Sequence, residues 1–157
     1  MRHQTIDFVG KFMETHEYPH HVLEVGSLDV NGNIRILMDR YSFIGIDMRP
    51  GKCVDFQLNA HDLLTKFEPD SFDCVICFDT LEHDDKFWIT VDNMKKVLKR
   101  GGYMLIGVPG RNCPLHEHPS DYWRFMPNGV TSLFEGMEDI FVINETDDET
   151  YMWGRKP

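Results

Sequence analysis

The chain has 157 residues, 41% of them hydrophobic, which suffices for one domain around a single core and leaves no room for a second. A formal charge of -10, from 26 acidic against 16 basic residues, repels polynucleotide phosphates, and no apolar run approaches the roughly 20 residues that span a bilayer. Nucleic acid is therefore a disfavoured partner and membrane insertion is not expected. MRHQTID runs straight into charged and amphipathic sequence in place of a secretory leader, so a cytoplasmic location is expected.

Ile6, Val9 and Met13, with Phe8 and Phe12 beside them, have helical spacing and predict an amphipathic helix that ends before Pro19. Residues 20–26 read as a buried strand. A short polar loop leads to a helix from Asn31 or Gly32, with Ile34, Leu37, Met38 and Tyr41 at i, i+3, i+4 and i+7. Residues 43–48 form a second strand, the Arg49-Pro50-Gly51 turn follows, and 54–58 form a third. Residues 73–78 are a continuous apolar run, as in a central parallel strand covered on both faces. Phe87, Val91, Met94 and Leu98 mark the next helix; Lys95, Lys96, Lys99 and Arg100 complement its C-terminal dipole, and Gly101-Gly102 stops it. Residues 103–108 return as a strand. Past the loop 109–126, Pro127 starts a helix that buries Val130, Leu133, Phe134 and Met137. Strands at 140–144 and 151–154 close as a hairpin, since the acidic 145–150 connection has no room for a helix.

Alternating strands and helices define an α/β, doubly wound, mostly parallel seven-stranded sheet with a C-terminal antiparallel hairpin and helices on both faces. Among the four cysteines, Cys53, Cys74, Cys77 and Cys113, the Cys74/Cys77 spacing is that of zinc and redox motifs. On a strand, however, positions three apart point to opposite faces, so reduced core thiols are expected.

Ligands of such sheets sit outside the carboxyl ends of the strands at the switch point. Four segments arrive there: 24–32, 47–49, 59–62 and 79–83. Gly26 lets a ligand approach the backbone, and Glu24, two residues earlier, suits a ligand that carries positive charge. Asp47, ending the next strand, can accept from both hydroxyls of a ribose. GSLDVNG lacks G-x-G-x-x-G and puts Asp29 where a dinucleotide's phosphates would sit.

From about residue 20 to its end, the chain resembles a small class I S-adenosylmethionine-dependent methyltransferase of the type 11 kind. The matching segments, in the family's order, are LEVGS, GIDMRPG, LNAHDLL, FDCVICFDTLEH and VLKRGGYMLIGVPG. The resemblance implies a Rossmann-like methyltransferase fold over 1–157, with an N-terminal helix in 1–19, a cofactor-binding part in 20–108 and an acceptor-side loop, helix and hairpin in 109–157. It implies S-adenosylmethionine as cofactor, with Glu24, Gly26 and Ser27 on the methionine side and Asp47 on the ribose. Met48 would lie on the adenine face, Asn59 and Ala60 at the adenine edge, and Asp79 on the floor near the methyl group. Two residues depart from the family pattern: Leu28 replaces the usual second glycine, and Asn59 stands where an Asp commonly accepts the adenine amino group. They keep open a methyltransferase-like module that binds without turning over.

The segment PLHEHPSDYWRF, 114–125, should cover the methyl-donor mouth. His116, His118 and Asp121 have spacing compatible with a metal triad, but a loop tied by His and Asp hydrogen bonds is commoner, and no metal is expected. As substrate-binding groups, Tyr122 and Trp123 offer flat walls, Arg124 a fork for a carboxylate or phosphate, and Asp121 a polar contact. A bland alternative is that these aromatics plug the sheet end. In-line transfer from an activated donor needs mainly positioning. A hydroxyl acceptor would also need a base, for which His83, His116 and His118 are candidates; His83 has the alternative of fixing its loop. The expected substrate is a small-molecule or carrier-bound acceptor. With no cap domain in view, a shallow open site or closure by a second copy in a homo-oligomer is expected.

Overall fold

The computed structural model describes residues 3–38, 42–117, 119–144 and 147–157. Strands β1 (His21–Val25), β2 (Ser42–Asp47), β3 (Phe56–Gln57), β4 (Phe72–Phe78), β5 (Leu98–Pro109), β6 (Glu138–Ile143) and β7 (Glu149–Arg155) form one sheet in the order β3-β2-β1-β4-β5-β7-β6. Pairing is parallel from β3 through β5, and β7 runs antiparallel to both β5 and β6. This is the fold class read from the sequence. The chain winds outward from β1 through β2 to β3, then crosses back to β4, which puts the switch point between β1 and β4.

Helices α1 (His3–Thr15), α2 (Arg35–Met38), α3 (Leu63–Lys66), α4 (Phe87–Val97) and α5 (Pro127–Leu133) surround the sheet. Side-chain alternation on the central strands divides the interior in two. Cys74 and Ile76 join a cluster with Phe8, Phe12, Met38 and Trp153, while Val75 and Cys77 join Leu63, Met94, Val130 and Phe134 on the other face. Cys74 and Cys77 thus sit on opposite faces, all four cysteines are free, and burial pushes both of these core thiols up in pKa.

Several elements differ from the sequence reading. The buried stripe of α1 is Thr5, Phe8, Val9 and Phe12, with Ile6 and Met13 only half-buried. The rotation brings Phe8 within 5.2 Å of Tyr151 and 5.1 Å of Trp153, centroid to centroid. Helix α2 has a single turn, because Asn33 holds the preceding loop: its Oδ1 accepts from Arg35 N at 2.7 Å and its Nδ2 donates to Glu24 and to the Ser27 carbonyl. Tyr41, assigned to that helix, lies outside the described residues.

Helix α4 stops at Val97, ahead of the glycine pair, where Leu98 turns extended (φ -74°, ψ 132°) and enters β5. Gly102 is needed for a different purpose, since a Cβ there would lie 2.8 Å from the Asp73 carbonyl of the neighbouring chain segment. Strand β3 shrinks to two exposed edge residues. Between β3 and β4 lie a 3-10 turn, Ala60–Asp62, and α3, which the sequence reading did not assign: four residues are too few to display a period. Among the described residues, no helix is long and apolar enough to cross a membrane.

Phe8 is 2% exposed and touches three aromatic rings, so Phe8→Ala is expected to cost ~3–5 kcal/mol of unfolding free energy. Half-buried Ile6→Ala should cost less. Urea unfolding followed by tryptophan fluorescence checks the ranking; equal losses would mean that α1 packs through its other face.

Candidate active site

The carboxyl ends of β1, β2 and β4 open onto a cavity of about 710 Å³. Glu24, Gly26, Asp47, Met48, Asn59, Ala60 and Asp79 line it, as do His83, His116 and Tyr122. The sequence-derived candidates Ser27, Asp121, Trp123 and Arg124 do not, and His118 lies outside the described residues.

Glu24 is 5% exposed, and burial, reinforced by Asp29 and Asp47, pushes its carboxyl up to about 7 against the Asn33 hydrogen bond and Arg35. Gly26 turns at φ +79°, where a Cβ would overlap the Thr80 side chain. Its N–H and that of Ser27 both donate to the Ile46 carbonyl at 2.9 Å, tying the first loop to β2. The Ser27 side chain packs toward Gly45, away from the cavity; Ser27 is therefore part of the loop's frame.

Asp47 is pinned by backbone donors, Arg49 N at 2.8 Å to Oδ1 and Leu28 N at 3.4 Å to Oδ2, and each oxygen keeps a further lone pair. Leu28, the departure from the glycine-rich pattern, packs over Gly51 and still supplies its N–H. Leu58 N donates to the Asp47 carbonyl at 2.9 Å, which brings Leu58 and Ala60 to the same end of the cavity as the exposed Met48. Asn59 caps the 3-10 turn, its Oδ1 accepting from His61 N at 2.9 Å; the acceptor assigned to an adenine amino group is thus already in use once. Asp79 stands at φ +47°, an uncommon backbone region for a residue with a side chain, held by its N–H to the Gly107 carbonyl.

The other end is built from the 3-10 turn Leu81–His83 and the 113–125 loop. Tyr122 N donates to the Glu82 carbonyl at 2.7 Å and Trp123 Nε1 to the Asp84 carbonyl at 2.9 Å. Arg124 grips Asp121 with two parallel bonds of 2.5 and 2.7 Å and spends its remaining donors on the carbonyls of Cys113, Pro114 and Trp123. The expected anion fork for substrate is thus committed inside the loop. That partner holds the Asp121 carboxyl far below the usual range, with His116 N–H as a second donor. Trp123, half-exposed, packs edge-on against Phe87 and forms no cavity wall.

Glu82 is fully buried behind the two cavity-lining imidazoles, and burial together with Asp79 raises its carboxyl. Sequence reasoning passed over Glu82, whose partner His116 lies 34 residues further along the chain. It also passed over Thr5, Asn33 and Ser120, which line the cavity from α1, the first loop and the 113–125 loop.

A sheet of this order with a cavity at its switch point defines the doubly wound class that binds nucleosides and nucleotides. Residues 1–138 match the profile described as "Methyltransferase domain", and the chain belongs to that family. No curated protein sequence matches it. Its fold is similar to that of a SAM-dependent methyltransferase from Archaeoglobus fulgidus, 13% identical with TM-score 0.78, over 99% of this chain and 95% of that one. It is similar also to a possible histamine N-methyltransferase from Thermotoga maritima, 14% identical with TM-score 0.70, over 98% and 97%. A third is phosphoethanolamine N-methyltransferase 2 of Haemonchus contortus, 16% identical with TM-score 0.72, over 98% of this chain and 52% of that one. The cofactor of the family is S-adenosylmethionine, and the donor set fits it: a buried carboxylate short of positive charge, a second carboxylate with open lone pairs, and an apolar slot beside it.

Because the folded pKa of Glu24 lies near 7 and its ordinary value is 4.5, the free protein keeps a proton that the unfolded chain has lost. Stability therefore falls as pH rises from about 4.5 through about 7. Glu24→Gln keeps an acceptor for Asn33 and removes the titration. Cofactor-free thermal melts should show the variant more stable than wild type at high pH, by up to ~3 kcal/mol, with the gap closing toward pH 5. A pH-independent gap would place the charge elsewhere.

Arg124→Ala strands the buried Asp121 carboxylate and should destabilise the protein by on the order of 3 kcal/mol. Protease cleavage within 113–125 at native pH reads this out, and intact resistance would show that the loop is held by its aromatics alone.

Proposed function

We propose that the chain transfers a methyl group from S-adenosylmethionine to a small-molecule acceptor. The observation that carries the reading is one continuous cavity that joins Glu24 and Asp47 at one end to His83, His116 and Tyr122 at the other. Bound there, S-adenosylmethionine supplies an electrophilic methyl on a sulfonium, so positioning can provide most of the rate.

Glu24 faces the amino acid part of the cofactor, where a cation restores its ionised form, and Asp47 takes the ribose hydroxyls. The bend at Gly26 keeps the first loop clear of the ligand. Met48, Leu58 and Ala60 enclose the flat base. On the acceptor side, Tyr122, Pro119 and Ser120 wall off water and fix the attacking atom. His83 and His116 stand where the proton of a hydroxyl acceptor has to leave.

Asp47→Ala should weaken S-adenosylmethionine binding more than tenfold in calorimetry, since charge-assisted hydrogen bonds are worth roughly 1.5–3 kcal/mol each. Unchanged affinity would move the ribose elsewhere. Tyr122→Ala should raise the acceptor KM while cofactor affinity stays within about twofold, followed as S-adenosylhomocysteine release from a mixed acceptor pool. Absence of release from any pool, with binding intact, would leave a binding module in place of an enzyme.

A further inference from the structure

Three proton-accepting atoms converge at the acceptor end. Glu82 Oε1 lies 3.4 Å from His116 Nε2 and 3.7 Å from His83 Nε2, and the donor atoms of the three residues fall within 4.8 Å of one another. Each imidazole has a backbone carbonyl behind it. His83 Nδ1 is 2.5 Å from the Ser120 carbonyl, and His116 Nδ1 is 3.0 Å from the Pro114 carbonyl with Asp121 at 3.4 Å. A neutral ring in that setting carries its proton on Nδ1 and turns the Nε2 lone pair toward Glu82. Two lone pairs and a carboxylate oxygen repel one another unless a proton or a metal ion sits among them. The other carboxylate oxygen, Oε2, is buried and has no hydrogen-bond partner among the described residues, a vacancy that native interiors rarely leave.

We propose that Glu82, His83 and His116 bind one divalent transition-metal ion, of the class that prefers two imidazoles and a carboxylate, such as zinc or iron(II). Metal–ligand bonds of about 2.1 Å in a tetrahedral set put neighbouring donors about 3.4 Å apart. The observed 3.4 and 3.7 Å need little adjustment. The carbonyls and Asp121 behind the rings are the outer partners that orient ligating histidines. Three protein ligands leave a position open, and because His83 and His116 line the cavity, it faces the space assigned to the acceptor. An acceptor bearing a hydroxyl or carboxylate oxygen would be gripped there. That role rests on the methyl-transfer reading; the metal site itself does not.

The test uses the whole chain, stripped with a chelator and without cofactor, titrated with Zn²⁺ by calorimetry and with Co²⁺ by absorption. One equivalent should bind with micromolar or tighter affinity, and Co²⁺ should give visible ligand-field bands without a near-ultraviolet thiolate band. Glu82→Gln and His116→Ala should each weaken Zn²⁺ binding by more than ~10-fold. Should Glu82→Gln not fold, Glu82→Asp, which keeps the charge and withdraws the oxygen, should show the same loss. Cys113→Ser, whose Sγ lies 3.9 Å from His116 Nδ1, should bind Zn²⁺ like wild type. Absence of a saturable equivalent, binding that survives Glu82→Gln, or binding that disappears with Cys113→Ser would overturn the site. S-adenosylhomocysteine affinity, measured in parallel, separates the two readings: its loss with metal binding intact counts against methyl transfer alone, and the converse against the metal alone.

Discussion

Burying Glu24 on β1, between Gly45 of β2 and Ile76 of β4, takes a carboxylate out of water at the switch point, and the cofactor half is arranged around that cost. Asn33 answers part of it with one hydrogen bond, and in doing so shapes the loop and delays α2. Asp29 and Asp47 add negative charge around the same group. Lys52 offsets some of this by pairing with Asp29 at 2.5 Å, on the solvent side. What remains is a desolvated acid offset only by Arg35, a cation that is itself paired with Asp55. A ligand that carries positive charge supplies what the fold withholds, and a pyrophosphate would make matters worse.

The end lined by His83, His116 and Tyr122 is built from different parts. Arg124 and Asp121 close the 113–125 loop on itself, and the bonds from Tyr122 and Trp123 to the carbonyls of Glu82 and Asp84 clamp it to the turn after β4. His116 arrives opposite Glu82 because both ends of its segment are fixed in this way. The polar and aromatic wealth of PLHEHPSDYWRF is thus divided. Arg124, Asp121 and Trp123 hold the loop, and His116 and Tyr122 face the cavity.

That division explains what was legible in the sequence. The alternation of strands and helices follows from long apolar runs such as 73–78 and from the helical stripe of α4, signals spread over many residues. Glu24, Gly26 and Asp47 were readable because each ends a strand or makes a turn whose position the alternation already dictates. Ser27 and Arg124 have chemistry that fits a ligand as well as a frame, and the side-chain direction, which sequence does not give, puts both outside the cavity lining. Glu82 was illegible for the opposite reason: local sequence offers no sign that a histidine 34 residues away will meet it. The short helices were missed because a single turn has no period to detect.

Glu24 and Glu82 are buried acids near the switch point, one on β1 and one in the turn after β4. Their settings differ in a way that bears on chemistry. Glu24 has a neutral amide as its hydrogen-bond partner, and Arg35 acts on its charge only through space. Glu82 has two imidazole nitrogens beside it, at 3.4 and 3.7 Å. One end is therefore built around an acid held by an amide, and the other around an acid faced by two imidazoles. With the donor at the first end and the acceptor at the second, as proposed, the imidazole-lined end meets the partner whose chemistry varies from one methyl-transfer reaction to another.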